Sequence, residues 1–319
     1  MTLLISKFKN IFFLLGVLAV LLVGLGIYQG MAGNKNARSD ATFFRVDADA
    51  LDKIRILGVN GLYENVLEKR DDEWVVANKG AYRVNPEYIA DLLKIFADLP
   101  RGELASRNPE KREELQVDDV GVKIQAWEGD TQVIDAIIGK EGPGFLSTYV
   151  RRADSDNVYL AAQNIRPVFN RTDWRDKRVW IFDPLKVTSI DWRYNEVEIS
   201  LIKTGDGWKQ VTPFSKDSSD AVIGPVLASL ADLFAADIKE DVTKEQAGIT
   251  GSSSSSADKA QTIRIELGFE TGEKDALYVG DKLPAPSEEY YISRENSKLV
   301  WTLDSFTIEE IFKKEIGDF

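Results

Sequence analysis

Hydrophobic and polar residues alternate along several stretches of the chain, and this two-residue period is typical of strands with one buried face. The alternation is clear over residues 190–194 and resumes after a turn over 197–201. Residues 122–126 and 133–138 flank the turn Glu128-Gly129-Asp130 in the same way. The pattern therefore predicts antiparallel sheets built from hairpins.

A hydrophobic period of three to four residues replaces this alternation after Asn85-Pro86-Glu87. A capping side chain, a proline at the first helical position and an acid in the first turn indicate the start of a helix. The apolar residues that follow share one face of it: Ile89, Leu92, Leu93, Phe96 and Leu99. Asn108-Pro109-Glu110 predicts a second, shorter helix, and residues 163–170 a third. We predict an α+β unit whose helices pack on one face of an antiparallel sheet.

The same pattern occurs twice in the chain, as expected of an internal repeat. LYENVLEKRDDEWVV matches VEISLIKTGDGWKQV, VKIQAWEGDTQVIDAIIG matches IRIELGFETGEKDALYVG, and TYVRRADSDNVYL matches YYISRENSKLVWT. The register between the copies slips at the segment GSSSSSADK, residues 251–259, whose composition is typical of a flexible insertion. We predict two tandem units over residues 41–176 and 178–319.

Trp74 has two interpretations. An aromatic side chain beside Asp71-Asp72 could stack on a sugar or a base, or it could be the first core residue of a strand that leaves a turn. Trp208 stands at the equivalent place in the second copy. Because a core position of a duplicated fold is repeated and a ligand contact need not be, the recurrence favours the structural interpretation.

The segment from Ile11 to Tyr28 carries no charge. As a helix it would be about 27 Å long, close to the thickness of a bilayer core. We predict a transmembrane helix over 11–28, with residues 1–10 in the cytoplasm, a linker over 29–40 and the remaining body in the periplasm of a bacterium. Gly30-Met31-Ala32 leaves cleavage as the alternative, in which the segment is a secretory signal. Gly26 and Gly30 form a GxxxG pattern, a candidate for helix packing in the membrane.

Composition narrows the chemistry that the chain can perform. It has no cysteine and no histidine, which excludes disulfides, Cys-His catalytic pairs and Ser-His-Asp triads. The net charge of −12 argues against binding to nucleic acid. We expect no catalytic residue, no metal site and no cofactor.

Two patterns resemble catalytic motifs but do not fit them. The segment from Gly268 to Lys274 lacks the spacing of a phosphate-binding loop and maps onto the turn of the predicted hairpin. The adjacent acids Asp71-Asp72 and Glu113-Glu114 supply carboxylates for glycoside hydrolysis, which requires two of them on either side of a cleft. Adjacent acids on a turn are usually solvated, so a hydrolase ranks third among the possible functions.

Two basic stretches are candidates for contact with a partner. One joins the two copies and contains Trp174, Arg175 and Arg178; the other, Arg151 and Arg152, lies on a predicted hairpin strand. The alternative is structural: Arg175 would pair locally with Asp176, and the second stretch would form a solvated or paired face.

Several of these features together resemble a known family. They are the single N-terminal span, the helix that ends in ADLP, the hairpin that closes in IIGK, the strand TYVRR before NVYL, and the junction WRDKRVW. Over about residues 70–300 the chain resembles the bacterial domain-of-unknown-function family 4340 (DUF4340). The resemblance implies an inner-membrane-anchored periplasmic protein, similar to accessory components of gliding-motility-type (Gld) ABC transporters. It implies the permease and the auxiliary subunit of such a transporter as partners.

We therefore expect a non-enzymatic, membrane-anchored accessory subunit that acts by protein–protein contact. The alternative is an envelope ligand-binding module for peptidoglycan or lipid, with a groove between the two copies.

Overall fold

The computed structural model describes residues 42–205, 207–249, 263–314 and 316–319. The chain divides into two compact units, Met1–Asp176 and Lys177–Phe319. Several predictions fall on residues outside the described ranges. They concern the span 11–28 with Gly26 and Gly30, the flanking segments 1–10 and 29–40, and the serine-rich segment. Within those residues, no helix combines the length and the apolar character needed to cross a membrane.

Unit 1 is mostly strand. Its elements, in chain order, are β1 (Lys53–Leu57), β2 (Glu64–Arg70), β3 (Glu73–Val76), β4 (Tyr82–Arg83), α1 (Pro86–Asp98), β5 (Glu103–Ser106), α2 (Lys111–Glu114), β6 (Val122–Glu128), β7 (Thr131–Glu141), β8 (Thr148–Arg152), β9 (Val158–Ala161) and α3 (Arg166–Phe169), with short 3-10 turns at Ala48–Ala50, Val59–Gly61 and Pro143–Phe145. The strands form one antiparallel sheet in the order β4-β3-β2-β1-β6-β7-β8-β9-β5.

Helix α1 begins where the sequence predicts. The Asn85 side chain accepts hydrogen bonds from the backbone N–H groups of Glu87 (2.9 Å) and Tyr88 (3.3 Å), which caps the helix. Ile89, Leu92 and Phe96 are buried in the same core as the inward side chains of the sheet, such as Ile54 and Ile56. The helix and the sheet therefore share one core. α3 is shorter than the predicted 163–170 because Pro167 fixes its first turn.

Unit 2 repeats this plan. Its elements are β10 (Val187–Tyr194), β11 (Val197–Thr204), β12 (Gly207–Thr212), β13 (Lys216–Ser218), α4 (Asp220–Ala231), β14 (Asp237–Lys239), β15 (Ile263–Phe269), β16 (Lys274–Lys282), β17 (Glu289–Arg294), β18 (Val300–Asp304) and α5 (Ser305–Thr307), with a π-helical segment at Ile308–Phe312 and 3-10 turns at Pro184–Lys186 and Ile316–Asp318. The sheet order is β13-β12-β11-β10-β15-β16-β17-β18-β14, which is the order of unit 1 with every strand advanced by nine.

The match between the copies extends to the pairing of single residues. Trp74 pairs with Lys69 across β2 and β3, and Trp208 pairs with Lys203 across β11 and β12. Trp208 is buried, and its indole Nε1 donates to Asp220 Oδ1 at 2.9 Å, while Trp74 packs partly buried against the core of unit 1. This supports the structural interpretation of both tryptophans. The prediction of two antiparallel sheet units is confirmed, with mostly strands and few helices in each.

Candidate binding sites

Arg151 organises the turn that follows β8. Only 6% of its surface is exposed. Its Nε donates to the carbonyl oxygen of Val117 at 2.8 Å, and its Nη1 donates to the carbonyl oxygens of Arg152, Ala153 and Ser155 at 3.0–3.2 Å. These carbonyl groups satisfy a guanidinium whose pKa is lowered by burial. The geometry favours a structural role for Arg151.

The predicted contact residues at the junction are also engaged within their own units. Trp174 is fully buried, and its Nε1 donates to the carbonyl oxygen of Arg171 at 3.2 Å. Arg175 pairs with Asp173 through Nε and Nη2, both at 2.9 Å. Arg178 forms a backbone bridge with Phe234 inside unit 2. The assignment of these residues to a partner contact stays a prediction.

A tight loop between β7 and β8 presents two adjacent apolar side chains to solvent. We call residues 143–146, Pro-Gly-Phe-Leu, the apolar loop. It is closed by a hydrogen bond from Gly142 N to Ser147 O at 2.9 Å. Phe145 is 72% exposed and Leu146 is 77% exposed. Phe145 has a φ of 59°, a left-handed conformation that a bulky residue seldom adopts.

The equivalent loop of unit 2 has different chemistry. It is closed in the same manner, by a hydrogen bond from Leu283 N to Glu289 O at 2.8 Å. Between them the chain reads Pro-Ala-Pro-Ser-Glu, without a large apolar side chain. The exposed Phe-Leu pair is therefore a feature of unit 1 and not of the shared fold.

A cavity of about 320 Å³ lies at the opposite end of β8. We call it the arginine pocket because three arginines line it together with aromatic and small polar residues: Arg45, Arg101, Arg152, Phe43, Tyr159, Asp154, Ser155 and Asn157. Three separate segments of the chain meet there. Phe43 N donates to Leu99 O at 2.8 Å, which brings the segment of Arg45 beside that of Arg101. The Nη2 atom of Arg152 donates to Phe44 O at 2.7 Å and adds the end of β8.

Two aromatic rings support the cations of this pocket. The rings of Phe43 and Tyr159 meet edge to face with centroids 6.2 Å apart. The guanidinium carbon of Arg101 lies 5.8 Å from the Tyr159 ring centroid, and that of Arg152 lies 6.0 Å from the Phe43 ring centroid. Both distances are within the range of cation–π attraction, which restricts where these side chains lie.

The pocket carries an excess of positive charge in an acidic protein. Asp154 is the one carboxylate in its lining, against three guanidinium groups. Burial, and then the charge of Arg45, lowers the pKa of the Arg152 guanidinium. Among the ion pairs of the described residues, none includes Arg101 or Arg152. Such a site can bind an anion.

Two further cavities of unit 1, of about 280 and 380 Å³, share lining residues with the turn after β8. The larger one sets Arg112, Lys123 and Arg151 against three aspartates, so its charges are balanced. Over the described part of the chain, no group of three Asp or Glu residues has the geometry to hold a metal ion.

Comparison with known proteins identifies the family. A family model described as Domain of unknown function (DUF4340) matches residues 74–250, more than half of the chain. The chain belongs to the DUF4340 family. No curated protein and no solved structure matches it. Within this DUF4340 member, the matched segment includes Arg101, Arg152 and the apolar loop, while Arg45 precedes it.

Sequence reasoning identified Arg152 but missed Arg45, Arg101 and the apolar loop. The two arginines belong to no ligand-binding motif of the sequence, and only the fold brings them together. A comparison of the two copies position by position would have given a signal. Arg152 recurs as Arg294, while the other two arginines do not recur.

Proposed function

We propose that this DUF4340 protein is a non-enzymatic, membrane-anchored periplasmic accessory subunit that acts by protein–protein contact. The proposed partners are the permease and the auxiliary subunit of a Gld-type ABC transporter, as the family resemblance implies. The N-terminal segment 11–28 would hold the protein at the bacterial inner membrane.

One observation supports a protein contact above the others: the exposed pair Phe145 and Leu146 on a closed loop. Interfaces take much of their binding energy from a few aromatic and apolar side chains that enter pockets of the partner. The backbone hydrogen bond that closes the loop fixes these side chains in advance, which lowers the entropy cost of binding. The left-handed conformation of Phe145 is a local strain of the kind that is typical of functional loops.

Affinity purification of the tagged full-length protein from native membranes tests this proposal. We expect the transporter subunits to be recovered with the wild type and to fall about tenfold with the double variant Phe145→Ser/Leu146→Ser, because a lost hot spot weakens binding by more than 1.4 kcal/mol. The control is Phe306→Ser/Leu185→Ser in unit 2, whose side chains are 72% and 76% exposed and so match the pair in chemistry and exposure. Recovery of the wild-type protein without transporter subunits would refute the proposal.

The tether is tested separately by the mass of the mature protein. A retained anchor predicts an intact N-terminus. The mass of a chain that starts after Ala32 would show that the segment is a cleaved signal, and it would remove the membrane anchor from the proposal.

A further inference from the structure

We propose that the arginine pocket of unit 1 is a binding site for an oxyanion, a carboxylate or phosphate group carried by a small ligand. This assignment goes beyond the partner contact proposed above and does not depend on it. The site lies wholly within unit 1, at the opposite end of β8 from the apolar loop.

The donor set fits this chemistry. A guanidinium group is planar, keeps its charge at any physiological pH and can donate two parallel hydrogen bonds to a carboxylate or a phosphate. Arg45, Arg101 and Arg152 line one cavity, and the last two rest on the aromatic rings of Tyr159 and Phe43. Arg45 has a φ of 57°, so the backbone that carries it adopts a conformation rare for such a residue. The like charges of Arg101 and Arg152 beside Arg45 repel one another, and an anion bound between them would offset that repulsion.

Unit 2 has an arginine at the position of Arg152, and it neutralises that arginine within the protein. Arg294 is the counterpart of Arg152, because they are the last residues of the equivalent strands β17 and β8. Arg294 pairs with Leu277 of β16, and Arg152 pairs with Ala136 of β7. Arg294 Nε donates to Asp275 Oδ2 at 2.9 Å, and the Asp275 side chain is 10% exposed. Unit 2 therefore supplies an internal counter-ion to its arginine.

Unit 1 lacks that counter-ion. Asp275 lies two residues before Leu277, and the residue two before Ala136 is Ile134, which is 3% exposed. Arg152 therefore faces the pocket without the carboxylate that neutralises its counterpart.

The other two cations of the pocket also belong to unit 1 alone. Phe43 N donates to Leu99 O in unit 1, and the equivalent hydrogen bond in unit 2 runs from Val179 N to Leu233 O, both at 2.8 Å. This register places Ile181 at the position of Arg45 and Ala235 at the position of Arg101. The one carboxylate in the lining, Asp154, also belongs to unit 1 alone, because unit 2 has Asn296 at that position. With Asp154 counted, the three arginines of unit 1 still leave an excess of positive charge, whereas in unit 2 Arg294 is paired with Asp275.

Isothermal titration calorimetry of the full-length protein in detergent tests the assignment, with citrate and inorganic phosphate as separate probes. The two probes distinguish carboxylate from phosphate chemistry. We expect saturable binding of at least one probe. The affinity should fall about tenfold or more in Arg101→Gln, because a hydrogen bond to a charged group is lost. Arg101 is exposed and makes no ion pair with the described residues, so this variant should fold. The control Arg193→Gln removes an exposed arginine from unit 2 and should bind as the wild type does.

A second variant tests the logic of the counter-ion. Ile134→Asp gives Arg152 the partner that Arg294 has, and it should abolish binding while all three arginines remain. The chemical shift of the Arg152 Nε–H group, followed by NMR with labelled arginine, should move on binding in the wild type and should not respond to the probe in this variant.

Three results would overturn the proposal: no saturable binding of either probe, binding that survives removal of Arg45, Arg101 and Arg152 together, or equal weakening in the Arg193→Gln control. The last result would show a general effect of net charge. These measurements use no transporter subunit. The anion site can therefore be refuted while the partner contact is supported, and the partner contact can be refuted while the anion site is supported.

Discussion

Gln210 of β12 is expected to lower the stability of unit 2. Its side chain is fully buried, and neither its amide oxygen nor its amide nitrogen has a hydrogen-bond partner among the described residues. The pairing of Gln210 with Leu201 corresponds to the pairing of Val76 with Leu67, so the equivalent residue of unit 1 is a valine, which is also fully buried. The same core position is apolar in one copy and an unpaired amide in the other.

The cost in stability arises because the Gln210 amide loses its hydrogen bonds to water on folding and gains none from the described residues. A buried polar group without a partner costs about 1–3 kcal/mol. Gln210→Met keeps the length of the side chain and removes the amide, and a volume-conserving exchange of this kind costs less than about 1.5 kcal/mol. We expect a net gain of about 1 kcal/mol in the free energy of unfolding, or a rise of about 3 °C in Tm.

Urea unfolding of the full-length protein, followed by tryptophan fluorescence and circular dichroism, measures this gain. The two units can unfold in separate transitions, so the curves need to be fitted with one transition for each unit. The control is Gln125→Met in unit 1, where the amide oxygen accepts a hydrogen bond from Arg55 Nη1 at 3.2 Å. That variant should lose stability or keep it. If Gln210→Met is no more stable than the wild type, the amide is satisfied in solution and the reasoning is wrong.

Two other variants probe polar groups of unit 2. Asp275→Asn should lower the stability of unit 2 by about 3 kcal/mol in urea unfolding, because it leaves the largely buried Arg294 charge without its partner. The control Glu288→Gln, in an exposed ion pair, should cost less than about 1 kcal/mol. Asp304→Ala should cost about 1 kcal/mol at pH 7, because the carboxylate accepts hydrogen bonds from the N–H and the hydroxyl of Thr307. Those hydrogen bonds hold the pKa of Asp304 below its usual range, so its contribution is present above the unfolded-state pKa of about 3.9 and is lost as the pH falls through the lower folded-state value. Equal stability differences at pH 7 and pH 3 would contradict this account.

The hairpins and the main helix could be predicted because their signals are local. The cap Asn85, the proline after it and the spacing of the apolar residues define helix α1 without reference to the rest of the chain. The turn at Gly129, with a φ of 56°, lies where the alternation of β6 stops and that of β7 begins. The internal repeat shows the same local patterns a second time. The recurrence of Trp74 as Trp208 supported the structural interpretation of both.

The edge strands and the arginine pocket could not be predicted, because both depend on residues far apart in the chain. β5 is four residues long and takes its position by pairing with β9, which follows three intervening strands in the chain. Phe43 and Phe44 lie at the start of the predicted unit 1 and follow no periodic pattern, yet both are 2% exposed and belong to its core. Only this packing fixes the positions of the neighbouring Arg45 and Arg101.

In a duplicated fold, residues that both copies share serve the common structure, whereas residues that only one copy has can belong to a site. Positions that both copies keep, such as Trp74 and Trp208, are explained by the shared core. Arg152 is more informative, because both copies keep the arginine but only in unit 2 does it donate a hydrogen bond to a carboxylate among the described residues. A half-buried cation without a counter-ion costs stability, and a purely structural arginine would gain from the acid that unit 2 retains. In the proposed complex, an anion bound in the arginine pocket supplies the negative charge that Arg294 receives from Asp275, and the added cations of unit 1 strengthen its binding.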